Sequence, residues 1–448
     1  MQEKAALQGL LRPPFTVRAQ VITPLSAGGT RHLPDALVEI DRAGKLARVE
    51  AWPADSPGLA EGGVVDLRPM VVLPGLVDLH AHLPQLPNAG LGAGLDLLTW
   101  LQRYIFPLER GFNADAARRL APLVFRSLAA AGTTTALLYG AVFEDSLDAS
   151  FAAAEEHGIR LVLGKVMMDR LRYDDSIGDK EVLDASLAQS QRLIERWHGR
   201  DGGRLRYAVT PRFAVSCTFE MLRESAALAA ATGAYWQTHL AEDRHEIEEV
   251  ARLFPDAIDY TDVYDKAGGL GPRTILAHCV HLSDREVARL AETQTRVAHC
   301  PASNFFLSSG AMPLARYLEA GIVVGLGSDV AAGPELSIFA GMRAGAYIQS
   351  GVHTMLRDER PRLKPLDWLR LGSYEGARVL GIEQEVGSLE AGKEADFILV
   401  DPSVTAPVGR GALDQATDDP SDIISRLMYR TRDEMIRGAW VRGRRLAT

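Results

Sequence analysis

From about residue 72 to about residue 330, short apolar runs alternate with longer stretches of mixed character. The runs are VVLPGLVDLH, GTTTALLYG, RLVLGKVM, RLRYAVTP, YWQTHL, TILAHC, RVAHC and VVGLGSD. Between them, ADAARRLAPLVFRSLAAAG and REVARLAET carry apolar residues at helical spacing. Eight apolar runs, each followed by a helix or a long loop, predict a (β/α)8 barrel. A doubly wound sheet would need a glycine-rich phosphate turn after its first strand, and none is present. The flanks follow a different rhythm. VRAQVIT, DALVEID and ARVEAW lie within 17–52, and VGSLEAGKEADFILVD and EMIRGAWVRGRRL follow residue 386. These read as strands that pair into one small β domain built from both chain ends. The predicted organisation is therefore 1–72, 73–385 and 386–448, with 401–422 as loop.

Composition narrows the class. A chain of 448 residues with 47% hydrophobic and 24% charged residues can bury a large core. The net charge of −9 is spread out with no long basic run, so no nucleic-acid partner is expected. Three cysteines, Cys217, Cys279 and Cys300, form no paired framework and point to a reducing compartment. MQEKAALQGLLRPP lacks a signal peptide's apolar core, and no apolar run is long enough to span a bilayer. The expectation is a cytoplasmic protein with no membrane partner.

Chemistry enters where the runs stop. His80 and His82 end the first run, and residues two apart on a strand share a face. His239, His278 and Asp329 each stand at the end of a later run. The C-terminal rim of such a barrel is where active sites sit. Four imidazoles and a carboxylate gathered there read as metal-site residues, for a zinc-like ion that takes three or four N/O/S ligands. Glu242, three residues after His239, is either a proton shuttle beside the metal or a helix N-terminal acid favouring the dipole. His299 also ends a run and reads as a structural hydrogen-bonding residue. His32, His157, His198, His245, His281 and His353 read as solvated. Lys165, in LVLGKVM, would bridge two metals if carbamylated, or else pair with a carboxylate.

On PGLVDLHAH, His239, His278, Asp329 and the flanking β segments, the chain resembles the amidohydrolase superfamily. LLTWLQRYIFPLE, TPRFAVSC, THLAEDRHEIEEV, AHCPASNFFLSSG and GLGSDVAAG make it similar, within that superfamily, to the guanine deaminase family. The resemblance implies a barrel with a small β-sandwich formed by both termini. It implies that His80, His82, His239 and Asp329 hold one zinc per chain, and that His278 hydrogen-bonds the attacking water. Glu242 would shuttle protons, and Gln85, Arg212 and Phe213 would contact a purine base. The implied reaction is hydrolytic deamination of guanine to xanthine and ammonia, by a homodimer. SDVAAG departs from the family's TDVAGG-like pattern, and LPNAGLGAGLD departs before Trp100. Three alternatives stand beside this reading: a deaminase of another amino-heterocycle such as a pterin, triazine or oxidised purine; a two-metal hydrolase using Lys165; and a metal-free scaffold barrel.

Overall fold

The computed structural model describes residues 10–53, 63–173, 178, 181–357, 359–407 and 419–448. Eight parallel strands follow one another around a barrel: β5 (Leu76–His82), β6 (Thr133–Tyr139), β7 (Arg160–Gly164), β9 (Leu205–Pro211), β10 (Tyr235–Leu240), β11 (Thr274–His278), β12 (Arg296–His299) and β13 (Val324–Leu326). A two-residue strand, β8 (Val166–Met167), pairs with β9 beyond the end of β7. Past β13 the chain closes the ring onto β5. Asp329 N donates to His80 O at 2.7 Å, and His82 N donates to Val330 O at 2.9 Å.

Strand alternation sorts the side chains. Val77, Leu79, Leu137, Val162, Ala208, Tyr235, Ile275 and Ala298 fill the barrel interior, and Ala377, Val379 and Leu380 of the helix Tyr374–Leu380 plug its floor. The opposite faces of the strands, with Leu161, Leu163, Trp236, Leu276 and Val297, pack under the surrounding helices in the main core. Both faces are therefore apolar, as parallel strands covered by helices require.

A seven-stranded sheet joins the termini. Its order is β16 (Arg444–Arg445), β15 (Ile436–Val441), β14 (Phe397–Val400), β4 (Val65–Pro74), β1 (Phe15–Pro24), β2 (Thr30–Ile40) and β3 (Leu46–Ala51). The N-terminal β4 pairs antiparallel with the C-terminal β14, with Phe397 opposite Pro74. Val17, Val38, Val72, Phe397 and Trp440 centre its core. The run 71–80 is not one strand. It divides at Gly75, where a Cβ would lie 2.0 Å from Thr134 Oγ1, and β4 and β5 then enter different sheets. Of the expected loop 401–422, residues 408–418 lie outside the described residues. Its flanks form a 3-10 turn over Pro402–Thr405 and a helix beginning at Pro420. No helix among the described residues is long and apolar enough to cross a membrane.

Candidate active site

His80 and His82 project into the barrel mouth only because β5 carries a bulge. Val77 and Leu79 face the interior, so simple alternation would send His80 and His82 outward. Between Asp78 and Ala81 the register with β6 shifts, and the extra residue reverses the alternation. His239 needs no such device, since it follows interior-facing Tyr235 at even spacing on β10. His278 does, because it would share the outward side with Leu276. Its backbone instead takes φ 71°, and Asp329 takes φ 50°. Left-handed backbone at residues other than glycine costs about 1–3 kcal/mol and collects at functional sites.

These devices bring the donors together. His80 Nε2 lies 3.2 Å and His82 Nε2 3.4 Å from Asp329 Oδ1, and His239 Nε2 lies 3.4 Å from His82 Nε2. Four ligand atoms about 2.1 Å from a tetrahedral ion stand about 3.4 Å apart, and these three separations match that spacing. Among the described residues the buried Nε2 atoms of His80 and His278 have no hydrogen-bond partner, which leaves them as ligands or acceptors. Potential metal-binding groupings comprise His80, His82 and His239, and His80, His278 and Asp329.

Neighbours fix each donor. His239 Nδ1–H donates to Arg212 O at 2.6 Å, which leaves its Nε2 lone pair for a ligand role. His278 Nδ1–H donates to Asn304 Oδ1 at 2.9 Å, so its Nε2 faces Glu242 Oε2 at 3.4 Å and Asp329 Oδ2 at 3.8 Å. Ser303 Oγ–H donates to Asp329 Oδ2 at 2.5 Å. Asp78 accepts from Ser328 N at 2.9 Å, Ser328 Oγ at 2.6 Å and His80 N at 3.2 Å, tying the first strand to the last.

The electrostatics separate the two buried carboxyls. Burial pushes Glu242 up, and the negative charges of Asp329, Glu246 and Asp243 push it further, so it stays protonated well above the usual carboxyl range. Burial also pushes Asp329 up, but His80, His82 and His278 outweigh it and hold Asp329 well below its ordinary value. Burial lowers His80 to about 4, which keeps its imidazole neutral. Two carboxyls driven apart in this way are equipped for different parts in acid–base chemistry.

A cavity of about 360 Å³ opens over the donors, lined by His82, Gln85, Leu97, Trp100, Leu101, Arg212, Phe213, His239, Glu242, His278, Leu307, Asp329 and Ala332. The nine residues that the resemblance assigned to metal, catalysis and substrate thus gather here, with His80 buried beneath the cavity floor. Glu109 was not foreseen. It is buried behind the wall, where its carboxylate accepts from Arg212 Nη1 at 2.5 Å and Gln85 Nε2 at 2.7 Å. Asp78, Ser303 and Asn304 were not foreseen either, because their partners are distant in the chain.

Three expectations change. Lys165 follows outward-facing Leu161 and Leu163 at even spacing, so it points away from the metal donors and lines a separate cavity with Val182 and Ser186. It is not placed to bridge two ions. Both ring nitrogens of buried His299 lack a hydrogen-bond partner among the described residues, which departs from the expected hydrogen-bonding role. Among the histidines read as solvated, His157 bonds Ala447 O at 2.8 Å, His281 bonds Ser309 O at 2.7 Å, and His198 Nδ1 accepts from Tyr207 N at 3.1 Å.

Residues 71–446 match the amidohydrolase family. The probable guanine deaminase of Deinococcus radiodurans is 38% identical over 382 residues, 85% of this chain and 84% of that protein. The solved structure of Escherichia coli guanine deaminase superposes with a TM-score of 0.88 at 33% identity, covering 96% of this chain and 99% of the other. A guanine deaminase from C. acetobutylicum, solved with guanine bound in its active site, gives a TM-score of 0.88 at 29% identity, with 97% and 100% covered.

Proposed function

This chain belongs to the amidohydrolase family, and we propose that it hydrolyses guanine to xanthine and ammonia. One observation carries the reading: His82, His239, Asp329, a buried protonated Glu242, Arg212 and Gln85 line a single cavity, with His80 buried beneath it. The similarity to guanine deaminases, one of them holding guanine, supports the choice of substrate.

We assign one zinc per chain to His80, His82, His239 and Asp329. Zinc, when bound, lowers the pKa of a coordinated water from 15.7 to about 7 and so makes a nucleophile at neutral pH. Ionised Asp329 accepts the first proton of the attacking water. His278, its ring held by Asn304, orients the attacking oxygen toward C2. Glu242 donates its proton to ring nitrogen N3 as C2 becomes tetrahedral. The proton held by Asp329 passes to the exocyclic amine, the C2–N bond breaks and ammonia leaves. Glu242 recovers a proton from the new C2 hydroxyl, which leaves the C2 carbonyl of xanthine. Arg212 supplies fixed donors to O6 and N7, Gln85 bonds a ring edge and Phe213 packs on the ring.

The family resemblance supports a homodimer. The three cysteines, buried and unpaired, are consistent with a cytoplasmic setting. A panel of amino-heterocycles followed by ammonia release tests the substrate. Guanine should be turned over at least about tenfold faster per unit concentration than a pterin or an aminotriazine. The reverse order would reassign the enzyme within its family.

A further inference from the structure

The side chains that meet a purine at its C6 edge are themselves held by a group outside the cavity. Glu109 does not line the cavity and has no exposed surface. Its two carboxylate oxygens take separate partners: Oε2 accepts from Arg212 Nη1 at 2.5 Å, and Oε1 accepts from Gln85 Nε2 at 2.7 Å. The Phe106 ring supports the same guanidinium at 5.2 Å.

We propose that Glu109 is a specificity-determining positioning residue that fixes the donor and acceptor pattern read at purine C6 and N1. This inference rests on the guanine deaminase reading above. A carboxylate has only acceptors, so it takes the nitrogen end of the Gln85 carboxamide and fixes which way that group faces. The Gln85 oxygen then remains an acceptor, 3.4 Å from Ala331 N and with a second lone pair for a ligand N–H. Arg212 is an obligate donor. The pair therefore matches a ring that offers an acceptor at C6 and an N–H at N1. A 6-oxopurine has both. A 6-aminopurine presents a donor at C6 and a bare N1, so it meets Arg212 and the Gln85 oxygen with the wrong polarity at each. A site built around buried hydrogen-bonding groups rejects an analogue that leaves them unpaired far more strongly than one that alters apolar contact.

The local sequence explains why a glutamate reaches this place. Leu97, Leu101, Ile105 and Glu109 are all buried at four-residue spacing. In a regular α-helix each such step drifts about 40° around the axis. Pro107 has no N–H to offer the carbonyl four residues back. The chain widens to a π turn over Leu101–Ile105, with Phe106 N bonded to Leu101 O, and the wider turn keeps the four residues on one face.

The test compares guanine with 2,6-diaminopurine, which carries the same C2 amine, in the zinc-loaded full chain. Wild type should prefer guanine by about 10³-fold or more in kcat/KM. In Glu109→Gln the new carboxamide can donate to Gln85 and let it turn over. The preference should fall at least about tenfold, through a higher KM for guanine, with zinc content unchanged. The reciprocal exchange Gln85→Glu with Glu109→Gln keeps one carboxylate and one carboxamide face to face and leaves an acceptor at position 85. It should restore the preference, and it serves as the informative variant should the single substitution not fold. An unchanged preference in Glu109→Gln, or no recovery in the exchange, overturns the role of Glu109. Failure of wild type to deaminate guanine overturns instead the reading on which it rests.

Discussion

Glu242 and Asp329 share one pocket and are both buried, yet their surroundings drive them to opposite protonation states. The division of labour follows from it. Glu242→Gln should retain zinc and lose about 10²–10⁴-fold in kcat, read by steady-state xanthine formation beside metal analysis. Because the Glu242 pKa is raised, its donor form is present below that value and is lost as pH rises through it. The wild-type kcat should therefore fall on the alkaline side with a one-proton slope, and a flat alkaline limb would remove Glu242 as donor. His80 carries a second pH signature. Burial lowers it from 6.5 to about 4. Below 6.5 the unfolded chain binds a proton that the folded chain refuses, so its contribution is present above 6.5 and drains away as pH falls toward 4. The metal-free protein should lose up to about 3 kcal/mol over that window, measured by denaturant unfolding, and His80→Asn should flatten the loss. At this scale the sequence was informative: each donor ends an apolar run, and the HxH spacing places two imidazoles together. Glu109 was illegible because nothing local marks a glutamate in FPLER as the partner of residues 24 and 103 positions away.

Strands and helices supply the aim. Period-two spacing correctly groups His80 with His82, but which face they take is decided by the bulge before Ala81, and no residue type in DLHAH announces a bulge. The same holds for His278, whose alternation is broken by its own left-handed backbone. Helix ends, by contrast, are written locally. Ser283 and Glu286 form a capping box at the helix Asp284–Glu292, and Glu286 also accepts from Thr261 N at 3.2 Å and Thr261 Oγ1 at 3.0 Å. Glu286→Ala strips four donors of their acceptor, two of them on fully buried Thr261. It should cost about 2–4 kcal/mol in unfolding free energy and leave zinc stoichiometry unchanged.

Across the whole molecule, one buried cation ties the barrel to the terminal sheet. Arg160, at the start of β7, bonds Asp396 Oδ2 through Nε at 3.0 Å and also pairs with Glu394 and Glu385. Burial pushes Asp396 up even beside that guanidinium, so removing the guanidinium leaves a carboxylate with little solvent. Arg160→Met should destabilise the fold by about 3–5 kcal/mol, seen as a lower midpoint in thermal unfolding, with little change in the kcat of the protein that remains folded. Eight apolar runs sufficed to foresee the barrel, and strand-like pieces at both ends foresaw a shared sheet. The exact pairing of β4 with β14 was not foreseeable, since it depends on the chain ends meeting across more than three hundred residues. The central claim is that three imidazoles and one aspartate from opposite sides of this ring hold a single ion that serves guanine hydrolysis. Titrating zinc into the metal-free protein while following xanthine from guanine tests it directly. The account predicts activity that rises linearly and saturates at one equivalent per chain; saturation at two equivalents, or no xanthine at any loading, would contradict it.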